Sequence, residues 1–283
     1  MIRVIHNVKE LSDVIKFNKD KGNTIGFVPT MGALHEGHIT LARKSKKEND
    51  LVIISIFVNP TQFNEKKDLE KYTRDLDGDL LKLMPTEIDI VFAPTAAEVY
   101  PDGEQTGQDI DLAGLDNYME GKFRPGHFKG VAQVVKRLLD IVTPDKLYMG
   151  QKDFQQFTII DHMIKTLNIK TTLVVCPTIR EENGLAMSSR NERLSKETRE
   201  KAGIIYKTLQ TIKRNKSKKS IPELIENGLK KLNIPPFEPE YLTLVDGYKL
   251  TPVTNINATD YVVACVAVWA DSVRLIDNII VKK

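Results

Sequence analysis

The chain has 283 residues, of which 41% are hydrophobic and 28% charged. That is room for one large domain or two ordinary ones, with a core big enough to need no disulfide or metal staple. Lysines and arginines number 41 against 38 acidic residues, a net charge of +3, and so even a balance argues against a general nucleic-acid binder.

The N-terminal stretch MIRVIHNVKELSDVIKF has charges threaded through it and no unbroken apolar core, so it does not read as a secretory leader. No stretch approaches the roughly 18 apolar residues of a membrane span. The expectation is a soluble, cytoplasmic protein without a membrane partner. TIGFVPT (24–30) is a short apolar run that predicts a buried strand. HEGHITLARKSKKEND (35–50) places Ile39, Leu41 and Ala42 on an apolar side with charges opposite, and predicts an amphipathic helix. LVIISIFVN (51–59) is a continuous β-branched run, as in a strand buried on both faces. These three make a βαβ unit, whose crossover is almost always right-handed. IDIVFAP (88–94) predicts another strand. GVAQVVKRLLDIV (130–142) carries Val131, Val134, Val135, Leu138 and Leu139 at helical spacing. KLYMG predicts a strand, DFQQFTIIDHMIKTL (153–167) a helix, and TTLVVCP closes the series. The alternation predicts an α/β fold with a Rossmann-like, doubly wound parallel sheet.

After about residue 183 the texture changes. Ser195 to Asn215 predicts one helix, with Ala202, Ile205, Leu209 and Ile212 on one face. Ser220 and Glu223 read as a capping box for a second, with Pro222 in its first turn. YLTLVD, YVVACVAVWA and VRLIDNIIV then predict three strands. Residues 1–183 are therefore expected to form the larger domain, and 184–283 a smaller C-terminal α+β domain. The basic run KRNKSKKS (213–220) has no interleaved aromatic residue and reads as a solvated loop between helices. Cys176 and Cys265 lie in apolar runs without CxxC spacing, which predicts buried thiols and speaks against structural zinc.

Five motifs carry candidate chemistry. PTMGALHEGH (29–38) follows a strand and opens a helix. In an open α/β sheet, ligands bind beyond the carboxyl ends of strands, and a helix N-terminus favours phosphate. Gly32 would let the backbone approach a ligand. His35 and His38, three apart on the first turn, would share a face, with Gly37 adding no side chain that could block a nucleotide. On spacing alone the pair could bind an anion, serve structure, or ligate a metal, although a zinc site needs further ligands. MGQKDFQQF (149–157) puts Lys152 and Asp153 at a helix start after Gly150. LAMSSRNERLS (185–195) offers two hydroxyls and the Arg190 fork, suited to polyphosphate oxygens but equally a polar loop. FVNPTQFNEKKDLEKYTRDLDGD offers Asn59 and Gln62 to a small polyhydroxylated acid; its Asp75, Asp77 and Asp79 are either solvated acids or approach Mg²⁺. FRPGHFKGVA, with Gly126 and Gly130 around His127, reads as a flexible loop entering a helix, and as a candidate lid.

HEGH resembles the HxGH signature of the nucleotidyltransferase superfamily, which includes the class I aminoacyl-tRNA synthetases, and MSSR resembles a counterpart of their second signature. PTMGALHEGH, FVNPTQF, RPGHFKGVA, GQKDFQQ and GLAMSSRN, in this order, resemble the pantothenate synthetase family over nearly the whole chain. The resemblance implies an AMP-forming ligase of pantothenate and coenzyme A biosynthesis. It would join (R)-pantoate to β-alanine through pantoyl adenylate, releasing AMP and pyrophosphate, with ATP as substrate and Mg²⁺ as cofactor.

By the same resemblance, ATP would contact Met31, Gly32, Ala33, Leu34, His35, Glu36, Gly37 and His38. It would also contact Gly150, Gln151, Lys152, Asp153, Ile179, Met187, Ser188, Ser189 and Arg190. His38 would be the proton donor, with His35, Lys152 and Arg190 the other catalytic groups. Gln62 and Gln156 would hold pantoate, Gln62 would also face β-alanine, and Asp79 is the candidate near Mg²⁺. The smaller domain would close over the ATP site. The partners implied are these small molecules and a second copy in a homodimer, with no nucleic acid.

Overall fold

The computed structural model describes residues 2–62, 74–103 and 110–283. The chain divides into two compact units. The first comprises residues 1–116, 120–150 and 156–176; the second comprises 117–119, 151–155 and 177–283.

The first unit is built on a six-stranded parallel sheet: β1 (Arg3–Ile5), β2 (Ile25–Thr30), β3 (Leu51–Ile56), β4 (Ile90–Phe92), β5 (Lys146–Gly150) and β6 (Thr172–Cys176). Their order is β1-β4-β3-β2-β5-β6, every neighbouring pair parallel. This is the doubly wound α/β sheet that the alternation predicts. The connecting helices include α1 (Val8–Asp20), α2 (Glu36–Glu48), α3 (Leu76–Leu83), α4 (His127–Val142) and α5 (Phe154–Thr166). β2 sits where the strand order reverses, flanked by β3 and β5, and such switch points are where open α/β sheets bind ligands.

β3 is buried along its length except at Ile56, as its β-branched run requires. It ends at Ile56 rather than continuing to Asn59, because residues 60–62 turn into a 3₁₀ helix. Ile39, Leu41 and Ala42 of α2 enter a core cluster with Val28, Val52, Ile54, Val91 and Tyr148. Burying side chains of this size is worth roughly 1.5–3 kcal/mol each. The apolar positions predicted for α4 are all buried.

The second unit holds α6 (Lys196–Lys201), α7 (Ile204–Asn215), α8 (Ile221–Leu232) and an antiparallel sheet of β7 (Glu238–Asp246), β8 (Val262–Ala270) and β9 (Val273–Lys282), in that order. Its core joins one face of α7 and α8 to Val262, Ala264, Val266 and Val268 of β8. The Ser220–Glu223 capping box forms as predicted. The single helix expected over 195–215 does not form. It breaks at Ala202–Gly203, because the Asn183 side-chain amide takes the carbonyls of Arg199 and Glu200 at 2.6 and 3.1 Å. Gly203 then packs so closely that a Cβ there would lie 2.1 Å from the Asn183 carbonyl oxygen. Among the described residues, no helix is long and apolar enough to cross a membrane.

Candidate active site

In the first unit the motif 29–38 forms the exit from β2 and the start of α2. Gly32 and Ala33 both have positive φ, +81° and +50°, which turns the chain sharply before the helix. His35 is the N-cap: its Nδ1 accepts the Gly37 N–H at 3.1 Å, and Nδ1 of His38 accepts the His35 N–H at 3.3 Å. The two histidines thus form a capping box, the role usually taken by Ser and Glu. The ring centroids lie 4.1 Å apart. An Nδ1 that accepts a backbone N–H carries no proton, so in the neutral ring the proton is on Nε2. Both neutral rings therefore carry their proton on Nε2 at the N-terminal end of α2, where the helix dipole favours an anion.

Gly37 does something the sequence reading did not anticipate. A Cβ at this position would lie 2.8 Å from Cε1 and 2.9 Å from Nδ1 of His35. The room it leaves is occupied by the neighbouring imidazole itself.

Helix α3 holds the turn from outside the motif. Asp79 Oδ1 accepts the Leu34 N–H at 2.7 Å, and Lys82 Nζ donates to the Leu34 carbonyl at 2.8 Å. Both main-chain polar groups of one residue are thus held by side chains about one helical turn apart. The prediction of solvated acids is corrected at Asp79, which is 2% exposed. Burial pushes its carboxyl above the ordinary range, opposed by the N–H groups of Leu34 and Ala33 and by the Lys82 charge. Its Oδ2 is closed from solvent and lacks a hydrogen-bond partner. The described residues contain no group of three or more His, Cys, Asp or Glu placed to hold a metal ion. The inward-facing Asp79 carboxylate serves the turn and does not fit a metal position open to phosphates.

Gln62 ends the 3₁₀ turn after β3, is buried, and its Nε2 lies 2.7 Å from Met31 Sδ. Two predicted site residues thus meet. Asn59 spends its amide internally: Nδ2 donates to Thr61 Oγ1 at 2.9 Å and to the Gly130 carbonyl at 3.3 Å, while Oδ1 accepts from Tyr100 Oη at 3.0 Å. Asn59 therefore shapes the turn that presents Gln62. The stretch 63–73 of that motif lies outside the described residues. FRPGHFKGVA enters a helix as expected: α4 begins at His127, whose ring is buried between Arg124 and the Gln62 carbonyl. Gln156 lies half-buried in the first turn of α5.

In the second unit, Gln151–Asp153 form a 3₁₀ turn, with Lys152 Nζ 3.6 Å from Asp153 Oδ1; Gly150, at the end of β5, belongs to the first unit. Ile179 and Met187 face each other across a short hairpin, the Met187 N–H donating to the Ile179 carbonyl at 2.9 Å. Ser188 caps the 3₁₀ helix Ser189–Arg193, its Oγ accepting the Arg190 N–H at 3.3 Å. Ser188, Ser189 and Arg190 are half-buried on this turn. The hairpin is held by two ion pairs that the sequence reading missed. Arg180 bonds both oxygens of Asp277 at 2.6 and 2.9 Å and stacks on Tyr206, and Glu181 pairs with Arg199 at 2.9 Å. Burial pushes the Asp277 carboxyl up against the pull of Arg180. These partners are far apart in sequence and follow no local spacing rule, so only the fold reveals them.

Comparison with known proteins gives one consistent result. The family model described as pantoate-beta-alanine ligase matches residues 3–280. The chain is 48% identical over 280 residues to a pantothenate synthetase of Azobacteroides pseudotrichonymphae, covering 98% of this chain and 99% of that one. It is 44% identical over 281 residues to one of Bacteroides fragilis, covering 98% of each. A crystal structure of the Thermus thermophilus enzyme superposes with a TM-score of 0.92 at 38% identity over all of both chains. A pantoate-beta-alanine ligase from Francisella tularensis, complexed with beta-gamma ATP and beta-alanine, gives 0.81 at 36% identity, covering 99% of this chain and 98% of that one.

Proposed function

The chain belongs to the pantoate–β-alanine ligase family, and from that premise we propose how its residues carry the reaction. The enzyme condenses (R)-pantoate with β-alanine, using ATP and giving pantothenate, AMP and pyrophosphate. A carboxylate does not form an amide unaided, because its leaving group is poor. Attack of the pantoate carboxylate on the α-phosphorus of ATP expels pyrophosphate and makes a mixed anhydride. Attack of the β-alanine amine on that carbonyl then expels AMP.

The observation that carries the reading is the histidine-capped start of α2. Both Nδ1 atoms accept backbone N–H groups, so each neutral ring keeps its proton on Nε2. We assign these donors to the ATP phosphates, His38 to the charge that grows on the transferred phosphate and His35 to positioning. Donors fixed before reaction stabilise developing charge without reorganising. Residues Met31–Leu34, Glu36 and Gly37 would supply the turn around the nucleotide. In the second unit, Lys152, Ser188, Ser189 and Arg190 are assigned to phosphate oxygens, Gln151, Asp153 and Met187 to the backbone around them, and Ile179 to the adenine; Gly150, at the end of β5 in the first unit, is assigned to ATP as well. Gln62 is assigned to pantoate and the β-alanine position, and Gln156 to pantoate. Mg²⁺ is proposed to arrive on the ATP phosphates, as is usual for this chemistry, with no protein ligand assigned. A homodimer and a cytoplasmic location complete the proposal on the family resemblance.

Incubation with ATP, Mg²⁺, pantoate and β-alanine, with products separated by mass, tests this reading. Pantothenate and AMP should appear in equal amounts; ADP in step with pantothenate would overturn the adenylate route.

A further inference from the structure

Asn278 lies on β9, outside every motif that the sequence marks, and is 2% exposed. Its Nδ2 donates to two consecutive main-chain carbonyls, Gln151 at 2.9 Å and Lys152 at 2.8 Å. Its Oδ1 accepts from Gln151 Nε2 at 3.4 Å. A primary amide has two hydrogens and one acceptor oxygen to offer here, and all are spent on one two-residue segment. The Asn278 backbone N–H donates to Asp277 Oδ1 at 2.8 Å, and Asp277 holds Arg180. The Arg180 guanidinium in turn donates to the Gly184 carbonyl at 3.1 Å, inside the hairpin that leads to Ser188. One dipeptide of the last strand therefore ties down the turn bearing Lys152 and the stem of the hairpin bearing Ser188–Arg190, all within the second unit.

We propose that Asn278 is a positioning residue for Lys152. A lysine side chain is long and rotamer-rich, so where its ammonium can reach depends on how its backbone is fixed. The turn Gln151–Asp153 is only three residues long, too short to fix itself by its own ladder. Asn278 supplies the missing constraint by holding the carbonyls on both sides of the Lys152 peptide nitrogen and α-carbon. The inference rests on the assignment of Lys152 to ATP phosphates.

Asn278→Ala and the isosteric Asn278→Asp test it, each made also in a Lys152→Ala background, with melting curves to confirm folding. Asn278→Asp keeps the shape but turns two donors into a carboxylate facing two carbonyls; Asn278→Ala serves if that variant does not fold. Pantoate-dependent exchange of labelled pyrophosphate into ATP is the readout. Displacing a reacting group by about 1 Å costs on the order of a hundredfold in rate. A loss approaching that size, with the Michaelis constant for ATP rising and that for pantoate unchanged, is expected. The loss should largely vanish in the Lys152→Ala background, because the two residues act as one unit. A folded Asn278→Ala enzyme with normal ATP constants, or an equal loss in both backgrounds, overturns the inference while leaving Lys152 in place. Normal ATP constants in Lys152→Ala alone would instead overturn the assignment beneath it.

Discussion

His127 Nδ1 donates to the carbonyl oxygen of Gln62 at 2.8 Å, joining the first turn of α4 to the residue assigned to pantoate. Arg124 Nη1 lies 3.0 Å from the other ring nitrogen, which accepts from the guanidinium. The motif RPGH thus acts on Gln62 through its backbone. Gln62→Ala is expected to raise the Michaelis constant for pantoate more than that for ATP. His127→Ala should move the same constant in the same direction by less. Equal changes in both constants, measured by steady-state titration of each substrate, would count against the assignment.

Gly37→Ala separates helix stability from chemistry. Alanine in a helix is favoured over glycine by roughly 0.5–1 kcal/mol. The added methyl would meet the His35 ring within 3 Å, and the ring must move. A protein that melts no lower than the parent yet has lost most of its exchange activity is the expected outcome. Full activity would mean that the ring's position does not matter.

His38→Ala is expected to raise the barrier to adenylate formation by about 2.7–4 kcal/mol, the cost of deleting one charge-stabilising donor. The cap itself contributes only ~1 kcal/mol, so the fold should survive. His35→Asn keeps a side-chain oxygen for the N-cap and removes the ring, so stability should hold while activity falls. Near-normal pyrophosphate exchange in His38→Ala would defeat its assignment.

Glu48, at the end of α2, bonds Lys44 and the Tyr148 hydroxyl, and these hold its carboxyl at about 2, against an ordinary 4.5. A depressed carboxylate stabilises the fold fully above the unfolded value and loses that contribution as pH falls through the folded one. Glu48→Gln should therefore lower the melting temperature at pH 6. The gap to the parent should narrow below pH 4.5 and close near pH 2. A gap that does not change with pH would show that the ion pair is not its cause.

The sheet was legible because β-branched runs and helical spacing are local signals, and Ile39, Leu41 and Ala42 of α2 are buried where their spacing puts them. The N-terminal β1 and α1 carry a thin signal, since only Leu11 and Ile15 of α1 are buried. The helix break at Gly203 was illegible because its cause, Asn183, is distant in sequence and acts only after folding. The motif histidines could be marked from sequence, but their mutual cap could not, since histidine is an uncommon capping residue. Asp79 looked like a solvated acid because its partner, the Leu34 peptide, belongs to another motif. Asn278 sits in the run IDNIIV, where strand alternation gives no hint that its amide serves residues 151 and 152.

The central claim is that the histidine-capped helix start serves transfer of AMP to pantoate. Labelled pyrophosphate, ATP, Mg²⁺ and the enzyme are mixed without β-alanine, and label entering ATP is followed with and without pantoate. Exchange that requires pantoate is the predicted result. Exchange of the same size without pantoate, or none with it, would contradict the account.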